Sequence, residues 1–61
     1  MIIIKKFNDI YDVVKREREF IVDISKLSIK QRLRIIDFLC GLTFINGTLE
    51  KINANTYKCI Y

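Results

Sequence analysis

The sequence predicts a small α/β sandwich, a sheet with two helices on one face, in the order β-α-β-α-β-β. Two segments with helical apolar periodicity alternate with short β-branched or aromatic runs, which are typical of strands. A strong turn signal, Asn46-Gly47, precedes two closing strand-like runs. The 61 residues contain no Pro, two Gly and no linker-like stretch, so we expect a single domain over residues 1–61.

The first half of the chain predicts a strand, a helix and a second strand. Residues 2–5 form a β-branched run, which favours a strand. Asn8 is a candidate N-cap for a helix that buries Ile10 and Val13. Residues 20–24 are again apolar and β-branched, and we interpret them as the second strand.

The second half predicts a longer helix followed by a β-hairpin. Ser28 and Gln31 have the spacing of a capping box, in which each side chain satisfies a backbone donor of the other residue. The helix is expected to run to residues 44–45, where the turn signal begins. Residues 49–52 and 56–61 then form two strands joined by a short turn.

The second helix carries apolar residues on two sides, although a helix that lies on its own sheet needs only one apolar side. At about 100° per residue, the first stripe consists of Ile29, Leu33, Ile36, Cys40 and Phe44. The second stripe consists of Ile35, Phe38, Leu42 and Ile45. We expect the second stripe to contact another copy of the chain, because 51% of the residues are hydrophobic and so short a domain buries only about 60% of its unfolded surface.

Two residues of this helix leave alternatives open. Gly41 lies inside the predicted helix, where Gly costs about 1 kcal/mol relative to Ala. Either a neighbouring helix approaches closely there or the helix breaks; the apolar pattern continues through Leu42, which favours close packing. Asp37 lies between the two stripes and is either a polar group at the interface, paired with Arg34 or Arg16, or an ordinary surface acid.

The side chains that most enzymes and metal sites use are scarce. The chain has no His, no Gly-rich phosphate loop and no CxxC spacing, since its two cysteines are Cys40 and Cys59. We therefore expect no catalytic activity, no metal and no cofactor, and two reduced cysteines in a cytosolic protein.

The net charge of +4 favours acidic partners but does not identify one. The Lys and Arg residues are scattered rather than gathered in a run, as on a solvated surface. One alternative is a small nucleic-acid-binding module that stacks bases on Tyr57 and Tyr61. These tyrosines equally fit a core position with the hydroxyls at the rim.

The helix segment Arg34-Ile35-Ile36-Asp37-Phe38-Leu39-Cys40-Gly41 resembles the arginine–aliphatic–aliphatic–Asp–Phe–Leu–Ser–Gly helix in the core domain of the SepF family. This family comprises bacterial and archaeal cell-division proteins. The similarity continues through Phe44, Gly47, Leu49-Glu50-Lys51-Ile52 and Tyr57, and it covers nearly the whole chain.

The resemblance implies a homodimer formed through the helices that binds the C-terminal tail of FtsZ, the tubulin-like division polymer, in the cytoplasm at the division site. By position, Lys51 and Tyr57 match residues that contact the tail, and Arg32 and Leu33 border the same pocket. Gly41 matches the glycine that permits close self-packing. Together with the second stripe, the resemblance predicts a dimer interface of Ile35, Phe38, Gly41, Leu42 and Ile45.

The chain departs from the family at several points. Family members usually begin with a lipid-binding helix and an acidic linker, whereas here the first strand starts near Met1; membrane attachment is expected only through segments outside this chain. Tyr57 replaces the usual Phe, and Arg32 stands where the family often has a small residue. A self-assembling subunit without a peptide partner is a third interpretation.

Overall fold

The computed structural model describes residues 2–61, and these residues form the predicted β-α-β-α-β-β order. The predicted single domain includes Met1, which lies outside the described residues. The elements are β1 (Ile2–Ile4), α1 (Asp9–Arg16), β2 (Glu19–Asp23), α2 (Ile29–Thr43), β3 (Thr48–Asn53) and β4 (Thr56–Ile60). The α/β fold class is therefore confirmed.

The four strands form one mixed sheet in the order β1-β2-β4-β3. β1 and β2 are parallel, so α1 is the crossover between them, while β4 runs antiparallel to both of its neighbours. Ile2 is paired with Phe20, Phe20 with Cys59, and Cys59 with Leu49. Since side chains alternate across a strand, these four residues lie on the same face of the sheet.

Both helices cover this face of the sheet. The buried side chains form one cluster drawn from the sheet, the β2–α2 connection and both helices: Ile4, Ile10, Val13, Phe20, Val22, Ile24, Leu27, Ile35, Leu39 and Cys59. The opposite face of the sheet carries no helix among the described residues, and its Ile3 and Ile60 are exposed. The domain therefore has two layers with one core between them.

The two helices begin differently. Asn8 occupies the N-cap position of α1, but its side chain makes no capping hydrogen bond, so that part of the prediction is wrong. The amides of Asp9 and Ile10 donate instead to backbone carbonyls of the preceding turn, at 3.2 and 3.4 Å. At α2 the capping box is confirmed: the Gln31 amide donates to Ser28 Oγ at 3.2 Å, and the Ser28 amide donates to Gln31 Oε1 at 3.3 Å.

The buried side of α2 lies between the two apolar stripes: Ile36 of the first stripe packs against the core, and Ile45 of the second is 82% exposed. Ile35, assigned from sequence to the dimer interface, is 2% exposed and lies in the core of its own chain. Phe38 and Leu42 are half-buried against the same core. The reason is that the buried side of α2 is centred on Ile35, Leu39 and Thr43. Thr43 is accommodated there because its hydroxyl donates to the Leu39 carbonyl at 2.8 Å.

The turn between α2 and β3 depends on Gly47. Its amide donates to the Thr43 carbonyl at 3.0 Å, which closes the C-terminus of α2. A Cβ atom at this position would lie 2.5 Å from the Ile60 carbonyl oxygen, closer than any ordinary contact. Gly47 is therefore needed because backbone approaches it closely; no residue of 2–61 has the positive φ that would favour glycine on other grounds.

Candidate functional site

An exposed apolar surface runs along α2 on the side away from the core. We call it the outer face of α2 and define it by Ile29, Leu33, Cys40, Gly41 and Phe44. The side chains of Ile29, Leu33 and Phe44 are 75%, 60% and 85% exposed, and Cys40 is also exposed. Their spacing of four, seven and four residues keeps them on one side of the helix. Several large apolar side chains exposed on one side of a helix mark a candidate interaction site.

Gly41 lies at the edge of this surface and has no structural role within its own chain. A Cβ atom built at Gly41 meets no heavy atom of a non-neighbouring group within 4 Å, in contrast to Gly47. Gly in a helix interior still costs about 1 kcal/mol relative to Ala. The outer face of α2 thus exposes bare helix backbone in its second half, which permits a second helix to approach closely.

Asp37 is exposed and precedes Gly41 by one helical turn. The ion pair that the sequence suggested with Arg34 or Arg16 is not formed, since the ion pair present in the described part of the chain joins Lys58 to Glu19 at 3.3 Å. The Asp37 carboxylate is therefore free to accept hydrogen bonds from a molecule that covers the outer face.

Lys51 and Tyr57, the residues expected to contact a peptide, lie side by side. They are directly paired across β3 and β4, and Tyr57 is paired on its other side with Val22. Directly opposed residues in an antiparallel pair have Cβ atoms about 4.5–5.5 Å apart. Tyr57 is half-buried against the core, whereas Lys51 is exposed on the edge strand β3. An apolar ring and a free cation therefore meet at this edge.

Leu33, which the resemblance places at the border of the peptide pocket, is 60% exposed on the outer face of α2. The rings of Tyr11 and Phe38 are 5.1 Å apart, so α1 lies beside the Phe38 side of α2. Leu33 lies on the other side of the helix from Phe38.

Arg32, which the resemblance places at the border of the peptide pocket, is hydrogen-bonded within its own chain. Its guanidinium donates from Nε to the Leu27 carbonyl and from Nη2 to the Ser25 carbonyl, both at 3.1 Å. These bonds hold the connection between β2 and α2 in place. This structural role explains why the chain has an Arg where the family often has a small residue. Two of the N–H groups of Arg32, those on Nε and Nη2, are occupied by these hydrogen bonds.

Tyr61 and Cys59, near the end of the chain, both have structural roles within the domain. The Tyr61 ring lies 6.4 Å from the Phe20 ring and 5.0 Å from the Arg18 guanidinium, and its hydroxyl donates to the Val14 carbonyl. Tyr61 is thus unavailable for stacking a base, which weakens the nucleic-acid alternative. Cys59 is fully buried, and burial raises the pKa of its thiol from 9.0 to about 11.

Residues 2–61 contain no group of three or more His, Cys, Asp or Glu side chains arranged to hold a metal ion. Neither of the helices formed by these residues has the length and apolar character needed to cross a membrane.

Comparison with known proteins places the chain in a family. The sequence model of the family described as Cell division protein SepF matches residues 3–60. The chain belongs to the SepF family. It is 35% identical over 52 residues to the cell division protein SepF of Shouchella clausii (strain KSM-K16), covering 84% of this chain and 34% of that protein.

Two further SepF relatives show the same extent of similarity. The cell division proteins SepF of Bacillus thuringiensis (strain Al Hakam) and Bacillus cereus (strain B4264) are each 35% identical over 51 residues, covering 82% of this chain and 33% of each relative. The chain spans about a third of the length of these curated relatives. The resemblance seen in the sequence is thus confirmed at the level of the SepF family of cell-division proteins.

Proposed function

We propose that this chain is a self-associating adaptor in cell division: two copies pair through the outer faces of α2, and the pair binds the C-terminal tail of FtsZ beside Lys51 and Tyr57. The observation that carries the proposal is Gly41, a helix-interior glycine for which the chain itself provides no neighbour. Close approach of a second α2 gives that residue a physical reason.

The exposed side chains of the outer face offer enough apolar surface for a stable pair. Fully burying a Leu or Phe side chain contributes about 1.5–3 kcal/mol. Two copies each of Leu33 and Phe44 therefore contribute up to about 6–12 kcal/mol, before the loss of translational and rotational freedom on association. The proposed interface retains Gly41, which the sequence analysis also placed there. It excludes Ile35, which is buried in the core, and uses residues of the first stripe instead.

Charge substitution at Phe44 tests the pairing. Phe44→Glu should give the mass of a single chain in light scattering, because a carboxylate would be buried in an apolar interface. Ile3→Glu is the matched control, since Ile3 is 57% exposed on the opposite face of the sheet; this variant should keep the dimer mass. A Phe44→Glu protein that remains a dimer would refute the assignment of the interface.

The tail-binding part of the proposal rests on the direct pairing of Tyr57 with Lys51. The half-buried Tyr57 ring offers an apolar contact, and the Lys51 ammonium attracts an acidic peptide segment. Arg32 acts indirectly by holding the β2–α2 connection from which α2 starts.

Charge reversal at Lys51 tests this part separately. Lys51→Glu should abolish binding of a fluorescently labelled FtsZ tail peptide and leave the dimer mass unchanged. Lys15→Glu is the control, because Lys15 is an exposed lysine in the last turn of α1. Loss of the dimer in Lys51→Glu, or equal loss of peptide binding in both variants, would contradict the separation of the two surfaces.

A further inference from the structure

A second concave site lies at the end of the sheet where the parallel strands β1 and β2 finish. The connection that leaves β1 and the connection that leaves β2 border an open cleft of about 430 Å³. Both helices begin beside it, since the cleft is lined by Asn8 and Asp9 at the start of α1 and by Gln31 in the first turn of α2. In α/β sheets, the carboxyl ends of parallel strands are where ligands bind.

The lining of this cleft is strongly basic. Lys5, Lys6 and Lys26 line it, and the acidic residue among its lining side chains is Asp9. All three lysines are exposed. Within the described part of the chain, none of them has a carboxylate oxygen within 4 Å of its ammonium, since the ion pair formed there is Lys58–Glu19. We call this site the lysine cleft.

The charges of two of these lysines act on a neighbouring carboxylate. The pKa of Asp23 is lowered, mainly by the hydrogen bond that its Oδ1 accepts from the Ser25 amide at 2.9 Å, and also by the nearby charges of Lys5 and Lys26. Lys5 follows β1 and Lys26 follows β2, so charges from two separate connections act on the same place. The Asp23 carboxylate is held by Ser25 and is not ion-paired with either lysine.

We propose that the lysine cleft binds a phosphate group carried on an organic molecule. Lysine ammonium groups are compact point charges suited to phosphate oxygens. Phe7 and Leu27 supply an apolar wall beside them, which fits an organic portion attached to the phosphate. The Asn8 side chain, which makes no capping hydrogen bond, is a further donor at the rim. The volume lies in the range of small-molecule sites, about 300–1,000 Å³.

This site is separate from the surfaces used in the proposed function. The outer face of α2 and the Lys51–Tyr57 pair contribute no lining residue to it. Loss of phosphate binding therefore leaves dimer formation and peptide binding unaffected, and the two proposals fail independently.

The experiment is a titration of the ¹⁵N-labelled protein with inorganic pyrophosphate at constant ionic strength, followed by amide chemical shifts. Saturable shifts confined to residues 5–9 and 26–31 are expected. The double variant Lys5→Gln/Lys26→Gln should reduce the affinity about tenfold, whereas Lys15→Gln, at the far end of α1, should not change it. Asp9→Asn should increase the affinity, because it removes the lining carboxylate.

The source of the phosphate is distinguished by a second arm with phosphatidylcholine vesicles that contain or lack phosphatidic acid. If the protein sediments with the phosphatidic acid vesicles and pyrophosphate prevents this sedimentation, the ligand source is a lipid headgroup. Binding of pyrophosphate without vesicle binding would identify a soluble phosphate compound. Absence of saturable shifts, or shifts spread equally to Lys15 and Lys51, would overturn the proposal.

Discussion

Replacing Gly41 by Ala should change the stability of the single chain and the stability of the dimer in opposite directions. Within one chain, a Cβ atom at position 41 meets nothing within 4 Å, so the substitution introduces no clash. Ala is better than Gly in a helix interior by about 0.8–1.0 kcal/mol. At concentrations where the protein is monomeric, Gly41→Ala should therefore raise the melting temperature by about 4–8 °C for a domain of this size.

In the dimer, the same methyl group is added to each of two closely packed helices. Overpacking of a well-packed contact costs about 1–3 kcal/mol, and each 1.4 kcal/mol is a tenfold change in the dissociation constant. Sedimentation equilibrium of Gly41→Ala should show a dimer dissociation constant raised by about 5-fold to 150-fold. Gly41→Lys should abolish the dimer.

Gly47→Ala is the matched control for these measurements. Its Cβ atom would lie 2.5 Å from the Ile60 carbonyl oxygen and 2.8 Å from the Thr43 Cα atom, so it should destabilise the single chain itself. The interpretation of Gly41 is refuted by a Gly41→Ala protein that dimerises as tightly as, or more tightly than, the wild type, because no second backbone would then approach that residue.

Three further predictions follow from the exposure of the two cysteines and from the cap of α2. A thiol reagent should modify the exposed Cys40 rapidly and the buried Cys59 only on unfolding, with Cys40 increasingly protected as protein concentration rises. Since burial raises the pKa of Cys59 from 9.0 to about 11, the unfolded chain loses this proton first. The free energy of unfolding should therefore fall between about pH 9 and 11 by on the order of 2–3 kcal/mol relative to Cys59→Ala in urea titrations. Ser28→Ala removes the hydroxyl that caps α2 and should cost about 1 kcal/mol in the same assay; an unchanged midpoint would contradict that role.

The features predicted correctly from the sequence are those whose interacting residues lie close together in the chain. The capping box at Ser28 and the turn before β3 involve residues within a few positions of each other, and both form as predicted. The two stripes of α2 identified only part of its buried side, because that side depends on where the sheet lies. Leu39 and Thr43 belong to neither stripe, yet both are buried, and Thr43 satisfies its hydroxyl within the helix.

The candidate site could be predicted only in part for a similar reason. The pairing of Lys51 with Tyr57 depends on a register shift in β3 between Lys51 and Asn53, without which Ile52 would lie opposite Tyr57. The hydrogen bonds from Arg32 to the Ser25 and Leu27 carbonyls depend on the path of the β2–α2 connection. The hydrophobic periodicity of the sequence does not predict that path. The lysine cleft combines residues from two connections that are distant in sequence, so it becomes visible only in the folded chain.

Titration of a labelled FtsZ C-terminal tail peptide, followed by fluorescence anisotropy, tests the proposed adaptor function most directly. The wild-type protein should bind the peptide saturably with a micromolar dissociation constant, as expected for a small groove of this kind. Tyr57→Ala should lose this binding while light scattering shows an intact dimer. A folded wild-type dimer that does not bind the peptide, or a Tyr57→Ala dimer that binds it normally, would contradict the account.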